Sequence, residues 1–413
     1  MISRRFFLKN GAFAMVSLGF APSFLSRTAL AAGVRAKRLI AIFQRGAVDG
    51  LSVVVPFGDA EYYRSRPSIA IARPGADDAA ISLDGFFGFN PRLRALKPFW
   101  DNRALAIVHA CGSPDNTRSH FDAQDYMETA TPGIKSTGDG WLNRYLQAKR
   151  EQDATPFRAV AVANQLPRML QGPAPSIALH QVDQFGIRAG QQSDKVSALF
   201  ERAYGVSPNT QLNVTGREAF EAIKMLQGAN PAQYQPDHGA DYPRSPFGQA
   251  LKQIAQLAKA GVGLEVAFAD LGGWDTHVNQ GAGQGQLAGR LDDFGNAIAA
   301  LVTDLGDRMA DTVVLTMSEF GRAVNENGNR GTDHGHGNAM IVIGGGVRGG
   351  HVYGRWPGLA MANRYEGRDL AVTTDFRDVF AEIVVRHLGI ADAGPVFPGY
   401  AVSPSKFPGL FVG

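Results

Sequence analysis

Short apolar runs rich in β-branched residues alternate along this chain with stretches whose apolar residues recur every three or four positions. That alternation constrains the fold more than any other feature, because it calls for a mainly parallel sheet covered by helices on both faces. The expected strands are Arg38–Gln44, Leu51–Val55, Ala104–Ala110, Phe157–Ala163, Leu264–Leu271, Thr312–Thr316 and Ala339–Ile343. Leu287, Leu291, Phe294, Ile298, Leu301, Val302 and Leu305 share one helical face, as do Phe376, Val379, Phe380, Ile383 and Leu388, with Thr374 or Asp375 as cap and Gly389 as stop. The expected class is therefore α/β, a three-layer sandwich.

Between about Asn164 and Pro246 the strand pattern fades, and two helical stretches, 194–204 and 217–227, stand amid Gly, Pro, Asn and Gln. This reads as a helical insertion over the sheet. The tail from Gly394 holds four prolines and no periodicity, so irregular chain is expected there. Cys111 is the single cysteine of 413 residues, which rules out an intrachain disulfide and suits a small buried residue at a strand end.

The amino terminus reads as an address. Arg4-Arg5-Phe6-Phe7-Leu8-Lys9 precedes an apolar stretch from Gly11 to about Leu25, too short to span a bilayer comfortably, and Ala29-Leu30-Ala31 is a small-x-small cleavage site. The expectation is a twin-arginine signal over residues 1–31, read by the Tat translocon, and a periplasmic or extracellular mature domain over 32–413 with no stable membrane span after cleavage. The signal carries Arg4, Arg5, Lys9 and Arg27 and no acid, so the whole chain's 41 basic against 38 acidic residues become 37 against 38. A near-neutral mature protein gives no reason to expect nucleic acid as a partner.

Polar residues gather where the expected strands end, the edge at which open α/β sheets place their ligands. Asp49, framed by glycines in Arg45-Gly46-Ala47-Val48-Asp49-Gly50, suits a metal carboxylate as well as an ordinary turn. In Asn116-Thr117-Arg118-Ser119-His120-Phe121-Asp122, Ser119 stands at a helix start, where it could attack a phosphate or sulfate ester or simply cap the helix. In Gly272-Gly273-Trp274-Asp275-Thr276-His277, Asp275 and His277 fall on the same side of an extended chain and could ligate one ion. Glu319 follows a clean strand, and farther on His334 and His336 flank a single glycine beside Asp333; with nine histidines in the chain, this cluster reads as metal-binding. Gly344-Gly345-Gly346-Val347-Arg348-Gly349 matches a dinucleotide fingerprint, yet no helix pattern follows it, so it reads as a turn. The chain has no G-x-S-x-G elbow, Walker A loop or H-E-x-x-H motif.

Taken together, Arg45 to Leu51 with Val55-Pro56, Arg118 to Asp125, Gly273 to His277, Ser318 to Arg322 and Gly331 to Gly337 resemble the exported proteins of domain of unknown function 1501, which are similar to the alkaline phosphatase, sulfatase and phosphoglycerate mutase superfamily. The resemblance covers nearly the whole mature chain and implies an alkaline-phosphatase-like fold. By the superfamily's order of site residues it suggests Asp49, Ser119, Asp275 with His277, Glu319, and His334 or His336 as counterparts. Glu319-Phe320 departs from the usual Asp-His, and Thr117 offers a second hydroxyl. The implied activity is a metal-dependent hydrolase of a small phosphate or sulfate ester. One or two divalent cations (zinc, manganese or calcium) would be held by Asp49, Asp275, His277, Glu319, Asp333, His334 and His336, with Ser119 or Thr117 attacking and Arg45, Arg118 or Arg322 clamping the anion. The alternative is a non-catalytic exported protein using the same fold and ion for structure or partner binding.

Overall fold

The computed structural model describes residues 37–149, 155, 157–182 and 233–411. The signal segment and both expected helices of the insertion lie outside the described residues.

Seven strands of the main sheet are β1 (Arg38–Gln44), β2 (Leu105–Gly112), β3 (Ala159–Val162), β4 (Ile177–Leu179), β5 (Val266–Leu271), β6 (Thr312–Met317) and β7 (Asn338–Gly344). Two short ones, β8 (Val352–Tyr353) and β9 (Thr374–Asp375), both pair with β2. The order across the sheet is β8-β2-β7-β6-β1-β5-β3-β4, and every pairing is parallel except those of β7, which runs antiparallel to β2 and β6.

Five longer helices cover the sheet: α1 (His120–Thr129), α2 (Trp141–Ala148), α3 (Pro246–Lys259), α4 (Gln286–Leu305) and α5 (Phe376–Glu382). Alternation along β1 sorts the two layers. Ile40 and Ile42 pack with Leu251, Leu291, Phe294 and Ile298 of α3 and α4, whereas Leu39, Ala41 and Phe43 pack with Trp141, Tyr145, Phe376 and Phe380 of α2 and α5. Capping sets the helix starts: Ser245 accepts from Gly248 N ahead of Pro246, and Asp375 accepts from Arg377 N. The architecture is three-layer α/β, and among the described residues no helix is long and apolar enough to cross a membrane.

Two local expectations fail. The run Leu51–Val55 forms a helical turn, Gly50–Val53, and only Val54–Val55 is extended, pairing in a small separate sheet with Gly88–Phe89. All of it is buried, so apolar periodicity cannot distinguish a turn from a strand there. Within the expected insertion, the described part contains strand β4, a three-residue run too short to stand out after Pro173 and Pro175. Cys111 is buried on β2 beside Met340, and Gly345–Gly346 form a turn closed by Val347 N donating to the Gly344 carbonyl.

Candidate metal centre

Register explains why loops far apart in sequence meet. Gln44 pairs with Leu271 and Phe43 with Met317, so β1, β5 and β6 end side by side and deliver residues 45–49, 272–277 and 318–322 to one rim. Because β7 is antiparallel, its start lies at that same rim, bringing residues 332–337; β2 ends there as well and leads into α1. The backbones pass closely. A side chain at Gly46, whose φ is +113°, would come within 2.9 Å of Asp275 N, and one at Gly335 within 2.3 Å of the Arg322 carbonyl carbon, so only glycine fits either crossing.

The Asp275 carboxylate stands at the centre. Its Oδ1 lies 3.0 Å from His277 Nε2, 3.2 Å from His334 Nε2, 3.5 Å from His120 Nε2 and 2.5 Å from Arg322 Nη2. His277 Nε2 and His334 Nε2 are themselves 3.0 Å apart. The outer nitrogens settle the tautomers. His334 Nδ1 donates to the Arg118 carbonyl at 2.9 Å and His120 Nδ1 to Glu319 Oε1 at 2.8 Å, which turns the Nε2 of each ring toward Asp275. His277 Nδ1 faces Asp333 Oδ1 at 3.3 Å.

His120 Nε2 is buried and has no hydrogen-bond partner, although it points at Asp275. A buried lone pair facing a carboxylate is unfavourable unless something positive lies between them. His120, Asp275 and His334 offer ligand atoms that all lie within 4.8 Å of one another, close enough to share one ion, and His277 Nε2 stands 3.0 Å from Asp275 Oδ1 beside them. The residues present therefore fit a divalent cation. Asp275 and His277 are 45% and 39% exposed, so the centre opens to solvent on their side.

The electrostatics differ from group to group. Burial would raise the Asp275 pKa, but the hydrogen bond and charge of Arg322 hold it below the usual carboxylate value. Burial together with the charges of His120 and Arg322 lowers His334 and so favours its neutral form, whereas the hydrogen bond to Glu319 raises His120 and favours its protonated form when no cation is bound.

The structure brings together Asp275, His277 and His334 as the sequence suggested and adds His120, which the sequence reading passed over for the hydroxyl beside it. Other expected residues have different work. Asp49 is fully buried and bound through both oxygens by Arg66, at 2.6 and 2.9 Å; burial raises its pKa, but Arg66 more than offsets this. Glu319 supports the ring of His120, and Asp333 faces the outer nitrogen of His277 while accepting from Asn327. His336 turns away at a bend and stacks on Tyr365, 4.3 Å between centroids.

None of the three arginines is a free anion clamp. Arg322 is buried and donates to the carbonyls of Gly46, Ala47, Trp274 and Thr332 as well as to Asp275. Arg45 is held by Asp270, Gln124 and Glu128, and Arg118 by Glu366 and Asp369. Ser119 caps α1, accepting from Asp122 N at 3.4 Å, and Thr117 Oγ1 accepts from Ser119 N at 3.2 Å.

The family described as "Protein of unknown function (DUF1501)" matches residues 106–394. No curated protein matches the chain. Among solved structures, the chain is similar to the C-terminal periplasmic domain of EcEptC from Escherichia coli, a crystal structure in complex with Zn, at 11% identity over 76% of this chain and 74% of that one, with a TM-score of 0.33.

Proposed function

The chain belongs to the DUF1501 family, whose function is unknown, and on that footing we propose that it is an exported metal-dependent hydrolase of anionic esters with an alkaline-phosphatase-like fold. The observation that carries the reading is the convergence of three imidazole Nε2 atoms on the Asp275 carboxylate at the solvent-facing rim of the sheet.

His120, Asp275, His277 and His334 would hold one divalent cation. When bound, the cation supplies Lewis-acid polarisation of the ester and lowers the pKa of the attacking hydroxyl. Ser119 is the preferred nucleophile over Thr117, because it immediately precedes His120 and its cap bond uses only an oxygen lone pair, leaving the O–H proton free to be given up. The first turn of α1 adds unpaired N–H groups that favour an anion beside Ser119. Arg322 is a positioning residue that fixes Asp275 against four backbone carbonyls. The twin arginines of the leader support export of the folded protein through the Tat route.

Elemental analysis of the purified mature protein, followed by a screen of phosphate and sulfate monoesters and diesters with the metal found, tests the proposal. About one equivalent of metal and an ester turned over by the parent but not by Asp275→Asn or His334→Ala are expected. Equal turnover in those variants sinks the catalytic reading; bound metal with no turnover on any ester leaves the non-catalytic one.

A further inference from the structure

We infer that the centre is built for zinc or a late first-row cation that replaces it, and discriminates against calcium and magnesium, because the surrounding groups withdraw oxygen donors from the site while locking its imidazoles in the ligating tautomer. This rests on the metal site of the proposed function but not on ester hydrolysis.

The rim loops carry four acidic side chains within reach of such a role, and three are committed elsewhere. Asp49 is saturated by Arg66 and Gln280. Glu319 is buried, and its Oε1 accepts from His120 Nδ1, Gln124 Nε2 and Gly46 N, so the oxygen facing the centre is taken up by protein donors. Asp333 accepts from Asn327 and faces His277 Nδ1. Asp275 is the carboxylate that lies against the imidazole Nε2 atoms. Calcium takes six to eight oxygen ligands and magnesium a near-ideal octahedron of oxygens, and neither is satisfied by one carboxylate among imidazoles. Imidazole nitrogens gathered about a single carboxylate oxygen suit zinc.

Charge points the same way. Affinity for calcium grows with the number of ligating carboxylates, but here the single carboxylate is already paired with the buried guanidinium of Arg322. What remains to bind a cation is the directed lone pairs, and these are set from outside by Glu319, Asp333 and the Arg118 carbonyl. Such outer partners hold a ring in one tautomer and raise its basicity.

The test strips the full mature chain of metal and titrates it separately with Zn²⁺, Co²⁺, Ca²⁺ and Mg²⁺, following calorimetry, melting temperature and, for Co²⁺, the visible absorption of a tetrahedral centre. One equivalent of Zn²⁺ or Co²⁺ should bind and raise the melting temperature, with an intense Co²⁺ band, whereas millimolar Ca²⁺ or Mg²⁺ should shift nothing. Glu319→Gln should weaken Zn²⁺ about 10- to 100-fold. His120→Ala should weaken it further. If Glu319→Gln fails to fold, the more exposed Asp333→Asn makes the same test through His277. A Ca²⁺ shift equal to that of Zn²⁺, or parental Zn²⁺ affinity in the folded variants, overturns the inference. Zinc binding without ester turnover would sink the hydrolase and leave this inference standing; turnover sustained by Ca²⁺ alone would do the reverse.

Discussion

Asp49 and Asp275 follow neighbouring parallel strands, each a few residues past the strand end and each after a glycine with positive φ, yet they have opposite fates. Asp49 is inaccessible to solvent, and its charge is matched by Arg66, whose remaining donors go to the carbonyls of Ala323 and Val324 and to Ser52. Asp275 is half exposed and shares one oxygen among Arg322 and three imidazoles. A strand-end aspartate is thus no ligand by position alone. What decides is whether the groups folded against it are permanently charged and saturating, or neutral with lone pairs to offer.

The sharpest way to break this comparison is to break the ion pair of each. Arg66→Met leaves a carboxylate buried without compensation and should cost roughly 3–5 kcal/mol in urea unfolding. Asp275→Asn, at a half-exposed position whose arginine keeps four carbonyl acceptors, should cost at most about 1–2 kcal/mol in the metal-free protein. If the two costs came out reversed, Asp49 would be the working carboxylate and the assignment of the centre would be wrong.

The same division between closed and open surroundings separates the histidines. His109 on β2 is buried, receives Ala110 N on Nδ1 and donates from Nε2 to the Val54 carbonyl, so its ring is held neutral and burial depresses its pKa to about 4. As pH falls, the unfolded chain takes up this proton first, near 6.5, so the contribution is complete above that pH and is lost on descending toward 4. It amounts to about 3 kcal/mol. Unfolding free energies at pH 7.5, 6 and 5 should fall accordingly, and His109→Gln should flatten part of the slope. His387, also lowered to about 4 by burial, supplies a second share, so an unchanged slope in the His109 variant would show that burial of that ring is not what the acid limb reports.

Metal addition comes next in size. Zinc at 100 times its dissociation constant should stabilise the stripped protein by about 2.7 kcal/mol. Asp49→Asn should keep that increment in any preparation that folds, whereas His334→Ala should lose it. Loss of the increment in both would erase the distinction between the two carboxylates.

How far these features were legible in the sequence follows from the range of the interactions behind them. β1 and α4 were readable nearly to the residue, because alternation and three-four spacing are local signals. The pairs Asp275–His277 and the residue His334 were readable because they stand at strand ends or between glycines. His120 was not, since its role comes from Glu319, 199 positions away, and a histidine beginning a helix after a serine looks like part of a cap. The ion pair of Asp49 was hidden for the same reason. Arg66 lies in an unremarkable Arg-Ser-Arg-Pro stretch, and only the fold carries it onto the carboxylate.

The smallest effect concerns Ser119, where capping and attack can be separated. The cap bond to Asp122 N is long, 3.4 Å, so Ser119→Ala should destabilise by about 1 kcal/mol. Ser119→Asn keeps a capping acceptor and should be near the parent in stability, but it has no hydroxyl. If Ser119 attacks the ester, both variants lose turnover although only the alanine loses stability. If it only caps, the asparagine variant keeps turnover, and Thr117→Val then decides whether the second hydroxyl is the nucleophile. Because His120 is the first residue of the helix that Ser119 caps, zinc affinity should follow the stability ranking and not the turnover ranking.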